Sequence, residues 1–216
     1  MPSPLLEYAL VRARILWRQH PENAHELHAL LAHEHAPINT QHYLDALTLS
    51  YTHNTAKALS LLDTLHARHP LLFLIPTTAA EIALKAGLTD EALARTQRIL
   101  YLAPEYFPAQ LVEARALLTT QPQQAYDRLK LLTRLRAEDP VVWQLYANAA
   151  QTSGHTLDSV FALISYRQLM GDVSSAMALL DTTETQHEND VQFKERIAAL
   201  RTALQSYEKD DAKTFE

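Results

Sequence analysis

A 34-residue recurrence constrains this chain more than any other feature. Pro70 and Pro104 stand 34 positions apart, and each follows an alanine, Ala58 or Ala92, by the same interval of twelve. The same interval before those alanines stand two more, Ala46 and Ala80, and Gly87 sits five positions before Ala92. Small residues at fixed offsets let paired helices touch, a glycine turns between them, and a proline closes the unit because it cannot continue a helix. Between these marks the apolar residues step by three and four, as in Leu59, Leu62, Leu65 and in Leu88, Leu93, Ile99, Leu102. That is the period of an amphipathic helix, and no stretch alternates apolar and polar residues as a half-buried strand would.

The spacing resembles the tetratricopeptide repeat (TPR), in which two helices form each 34-residue unit. The expected fold is therefore all-α: a TPR-type right-handed superhelical solenoid of about twelve helices. Their expected spans are 4–18, 22–34, 40–52, 55–68, 73–86, 89–102, 107–119, 123–136, 140–152, 156–169, 172–185 and 189–207. The unit from Tyr106 to Pro140 is a degenerate copy, with Ala114 and Ala125 eleven apart and the turn at 119–122. The next reads better, with Trp143, Tyr146, Ala147 and Gly154 at the expected offsets. Gly171 follows Gly154 at half the repeat interval, so the helix from about Leu157 to Met170 closes one pair and opens the next. The expected organisation is a helical pair at 1–36, repeats at 37–154, a phase-shifted repeat and capping helix at 155–207, and a charged tail at 208–216. Asp90 and Thr89, and Asp172 after the Gly171 stop, are the expected helix caps.

Composition narrows the function. Three glycines in 216 residues cannot supply a Walker loop or a GxGxxG fingerprint, both of which need backbone that approaches phosphate closely. A net charge of −6 removes the basic footprint of a nucleic-acid binder, and no apolar run approaches a membrane span, so neither nucleic-acid binding nor membrane insertion is expected. The absence of cysteine excludes disulfides, thiolate zinc sites and cysteine nucleophiles. The N-terminus, Met1-Pro2-Ser3-Pro4, has neither a basic nor an apolar signal region.

Eleven histidines are the chemical anomaly, six of them between His20 and His42. A zincin helix places histidines at i and i+4 around a glutamate. His25-Glu26-Leu27-His28-Ala29 misses that spacing by one residue, and His33-Glu34-His35-Ala36-Pro37 misses it and then meets a proline. A solvated histidine-rich helix is the expectation, with no metal site, cofactor or catalytic residue in this chain. Glu81 and Glu113, on first helices of adjacent repeats, read as solvating charges. The first helix of each pair lines a solenoid's concave face, which gives groove positions at the fifth, ninth and thirteenth residues of each repeat. These are Tyr43, Leu47 and Tyr51; Thr77, Glu81 and Lys85; Leu111, Arg115 and Thr119; and Gln144, Asn148 and Thr152. Tyrosine, amide and arginine side chains suit peptide capture, because they combine rigid amphipathic area with bidentate hydrogen bonds. The lysine-rich clamp that grips C-terminal carboxylates in some TPR co-chaperones is missing.

The order of motifs also resembles one family. Glu7-Tyr8-Ala9-Leu10-Val11-Arg12-Ala13-Arg14-Ile15-Leu16 looks like the opening of the helical C-terminal half of BepA/YfgC-type periplasmic zinc metalloproteases. Tyr43-Leu44-Asp45-Ala46-Leu47 and Glu91-Ala92-Leu93 resemble its middle repeats. Asp139-Pro140-Val141-Val142-Trp143, Ser165-Tyr166-Arg167-Gln168-Leu169-Met170-Gly171-Asp172 and Phe193-Lys194-Glu195-Arg196-Ile197-Ala198 resemble its end. In that family an N-terminal domain carries zinc and HExxH, and the TPR half recruits misassembled outer-membrane proteins and the β-barrel assembly machinery. The resemblance implies a periplasmic binding module whose partners are unfolded polypeptide segments, that machinery and its own protease domain. No position here matches HExxH, so the parent protein's chemistry transfers to no residue of this chain. A stand-alone TPR scaffold, cytoplasmic if Met1 is the native start, is the alternative reading. A metal hydrolase using the His20–His42 cluster is a third.

Overall fold

The computed structural model describes residues 4–186, 194–202 and 204–205. Among them eleven α-helices run in chain order: α1 Pro4–Gln19, α2 Ala24–His33, α3 Ile38–Tyr51, α4 Thr55–Arg68, α5 Leu74–Lys85, α6 Thr89–Leu102, α7 Phe107–Thr120, α8 Pro122–Leu135, α9 Pro140–Thr152, α10 Thr156–Leu169 and α11 Val173–Gln186. A 3-10 turn, Pro21–Asn23, joins α1 to α2, and residues 194–202 and 204–205 are helical. No strand occurs among the described residues. The expected spans fall on these helices within two residues at nearly every end. The last one, 189–207, lies partly outside the described residues, and the tail 208–216 lies wholly outside them.

The chain forms two compact units, Met1–Ala116 and Leu117–Glu216. In the first, α3 packs on α4, α4 on α5 and α5 on α6, while α1 lies against α3 and α2. Ala46, Ala58, Ala79, Ala83 and Ala92 are fully buried where these helices meet, in a core with Leu62, Leu65, Leu72 and Ile75. In the second unit α8 packs on α9, α9 on α10 and α10 on α11. Phe161, Ile164, Val173, Ala176 and Leu180 form a core there with Ile197 and Leu204 of the final helical segment.

Turn chemistry sets the helix ends. Gly87, Gly154 and Gly171 follow α5, α9 and α10 with φ of +80°, +82° and +76°. Each closes its helix with a backbone bond reaching five residues back, as Leu88 N–H does to the Ala83 carbonyl at 2.9 Å. His53 and His35 hold the same position after α3 and α2, with φ of +61° and +54°. His53 stands one full repeat before Gly87, so a histidine occupies the repeat's glycine slot. Two of the eleven histidines thus serve as left-handed caps. The expected caps divide: Asp172 Oδ1 accepts from Ser175 N–H at 3.3 Å ahead of α11. Thr89 and Asp90 instead lie inside α6, whose cap position is Leu88 and carries no side-chain bond.

Candidate functional site

The side chains of α1 change what the first unit presents. On α3 and α5 the expected groove residues Tyr43, Leu47 and Thr77 are buried, and Glu81 is half-buried. Thr77 bonds Tyr106, while over Tyr43 and Leu47 lies α1, whose Leu6 and Leu10 enter the same core. Its Arg14, only 13% exposed, ion-pairs with Glu81 and donates to Thr78 Oγ1 at 2.9 Å. Arg18 stands 3.8 Å from the same Glu81 carboxylate.

The donors and acceptors here have only one consistent assignment. Thr78 Oγ1 donates its one hydrogen to the Leu74 carbonyl at 2.8 Å. It therefore accepts both from Arg14 and from Tyr43 Oη, 2.7 Å away. Tyr43 must stay protonated to donate, and burial raises the pKa of its phenol. Tyr106, which bonds Thr77 and packs its ring 5.6 Å from Phe73, is likewise raised by burial. The result is a closed polar seam tying α1 to α3 and α5. Arg14, Thr78 and Tyr106 are the residues the repeat count does not find. The available signal is Arg14's place on the helical wheel, beside the apolar face of Leu10, Ala13 and Trp17.

Exposure on first helices rises along the chain after the segments that α1 covers. At the fifth position, Tyr43 and Thr77 are buried, Leu111 is half-buried and Gln144 is exposed. At the ninth, Leu47 is buried, Glu81 half-buried, and Arg115 and Asn148 exposed. At the thirteenth, Tyr51, Lys85, Thr119 and Thr152 are all exposed, with Tyr51 standing edge-on to Trp17 at 6.3 Å. The first unit therefore offers Tyr51, Lys85 and Arg115 to solvent, and the second offers Gln144 and Asn148.

Behind α9 in the second unit lies a denser cluster. Asp158 accepts from Tyr126 Oη at 2.5 Å, Tyr146 Oη at 3.1 Å and Arg196 Nη1 at 2.8 Å, with Lys130 Nζ at 3.6 Å. Burial opposes ionisation of Asp158, but these donors outweigh it and bring its pKa down to about 2. Burial, followed by the bonds to Tyr126 and Asp158, raises Tyr146. Arg196 also caps the Phe161 ring at 4.0 Å, so one side chain fastens the final helical segment to α10. Both oxygens of the Asp158 carboxylate are engaged, which describes a keystone rather than a reactive centre.

The histidines among the described residues do not converge. Among the described residues no three histidine or carboxylate side chains could hold a metal ion together. His28 pairs with Asp45 at 3.0 Å, and His69 bonds Asn39 at 2.7 Å. Among the described residues no helix is long and apolar enough to cross a membrane.

No protein-family model and no curated protein sequence matches the chain. Solved structures do. The MamA RS-1 ArsTM double mutant aligns at 14% identity over 79% of this chain and 97% of its own, with a TM-score of 0.55. A second MamA mutant aligns at 17% over 80% and 98%, with a TM-score of 0.53. A tetratricopeptide repeat protein from Parabacteroides merdae aligns at 16% over 94% and 86%, with a TM-score of 0.49. At these identities the likeness concerns the fold alone. The fold is an all-α, TPR-type stack of helical pairs.

Proposed function

We propose that this chain is a protein-interaction module that binds polypeptide through the solvent-facing first helices of its repeats. The observation that carries the reading is the exposed pair Gln144 and Asn148, one turn apart on α9; Lys85 and Arg115 are exposed on first helices of the first unit. Amide side chains one turn apart can each pair with a backbone N–H and C=O, which recognises a chain without reading its sequence. Such binding requires no bond to be broken by this chain.

The finer identity rests on the sequence resemblance. We propose that the module is the TPR half of a periplasmic metalloprotease-chaperone, recruiting outer-membrane β-barrel chains or their assembly machinery. Two residues of the motif that resembles that family's end, Arg196 and Ile197, carry weight in the packing: Arg196 joins Asp158 and Phe161, and Ile197 is buried. Phe193 lies outside the described residues.

The test is a fluorescence titration of an unfolded outer-membrane β-barrel polypeptide with the wild-type chain and with Gln144→Ala/Asn148→Ala. The expected result is saturable binding that weakens about tenfold in the variant, the loss of one or two well-placed hydrogen bonds. Equal binding by both removes α9 as the contact. No binding by either removes the β-barrel substrate.

A further inference from the structure

One helix is apolar on two sides. The inner side of α1, Leu6, Leu10 and Ala13, is buried in the first unit. On the outer side Leu5, Tyr8, Val11 and Ile15 recur at steps of three, three and four and are 68%, 67%, 41% and 54% exposed. A surface helix ordinarily turns its charges outward. Here Arg14 reaches inward to Glu81, and Arg12, which would interrupt the stripe, is held by both carboxylate oxygens of Glu34 at the end of α2. The outward face is left with a continuous row of large apolar side chains, an arrangement that marks an interaction surface.

We propose that a second copy of this chain covers the stripe, with the two α1 helices packed antiparallel about a two-fold axis near residues 11 and 12. The charges favour that occupant. Glu7 lies near the start of α1 and Arg18, 60% exposed, near its end, both along the same edge of the stripe. Two-fold symmetry in an antiparallel pair brings like edges together, so each Glu7 comes within reach of the Arg18 of the other copy. Opposed helix dipoles add to this arrangement. Tyr8 of one protomer then packs on Ile15 of the other, and Ile15 on Tyr8. Four side chains cover less area than a standard interface, so the dimer is expected in the ~10–100 μM range.

Sedimentation velocity across that range tests it, with the expected mass rising from 24.4 kDa to twice that value. Tyr8→Ser/Ile15→Ser changes only exposed positions, so the helical circular dichroism should be unchanged while dimerisation weakens at least tenfold. The chain has no native cysteine, which makes a register test clean. Mixing Tyr8→Cys and Ile15→Cys chains under mild oxidation should yield mainly the mixed disulfide. A chain that stays monomeric throughout overturns the proposal. A dimer indifferent to Tyr8→Ser/Ile15→Ser, or a mixture dominated by the two like-with-like disulfides, overturns it equally.

Discussion

Exchanging the residues in two equivalent turns should produce stability changes of opposite sign. His53 and Gly87 occupy the same slot of successive repeats, with φ of +61° and +80° and matching backbone closures. Holding an L side chain in the left-handed region costs about 1–2 kcal/mol. Glycine escapes that cost but loses about 0.4–1 kcal/mol through its freer unfolded chain. A Cβ built on Gly87 meets nothing within 4 Å, so no clash adds to the conformational cost there. Gly87→Ala is therefore expected to destabilise by about 0.5–1 kcal/mol, and His53→Gly to stabilise by about the same. Urea unfolding followed by circular dichroism reads this directly. With a slope of about 2 kcal/mol per molar, the midpoints should move down and up by about 0.3–0.5 M. Shifts of the same sign would refute the equivalence of the two turns. A Gly87→Ala cost above about 3 kcal/mol would refute the open space around its Cβ.

Three further outcomes follow from the same geometry. Arg14→Ala removes the nearly buried cation that joins Thr78 and Glu81, and should cost about 2 kcal/mol while speeding tryptic cleavage at Arg12 and Arg18; unchanged cleavage would mean that α1 is held by its apolar face alone. Asp158, with a pKa of about 2 in the folded chain and about 3.9 unfolded, contributes stability above pH ~4 that is lost as pH falls toward 2. Asp158→Asn should flatten that acid limb in a pH series of thermal melts, and an identical limb would place the acid-sensitive group elsewhere. Because no three described histidine or carboxylate side chains converge on a metal position, chelator treatment is expected to leave the melting temperature in place; a fall of several degrees would contradict that expectation.

Most helices were legible because amphipathic period and repeat spacing are local properties, written in each segment's own residues. α6 shows it plainly: Ala92, Leu93, Thr96 and Ile99 are its buried face. What covers Tyr43 was not legible, because counting positions says which way it points but not that α1 will lie over it. That depends on contacts between segments far apart in the chain, Arg14 with Thr78 and Glu81. The roles of two histidines were not legible either: His35 and His53 answer to backbone geometry at helix ends, where glycine is the usual residue. Asp158 escaped notice because its donors come from α8, α9 and the final helical segment, which no short motif connects.

Binding by the solvent-facing first helices is tested most directly by photo-crosslinking in the intact chain. Crosslinking amino acids would be placed singly at Tyr51, Lys85, Arg115, Gln144 and Asn148, and for comparison at the exposed second-helix positions Ser60, Gln97 and Leu131. Polypeptide adducts are expected from the first set and few from the second. Adducts concentrated at Ser60, Gln97 and Leu131 would contradict binding through the first helices.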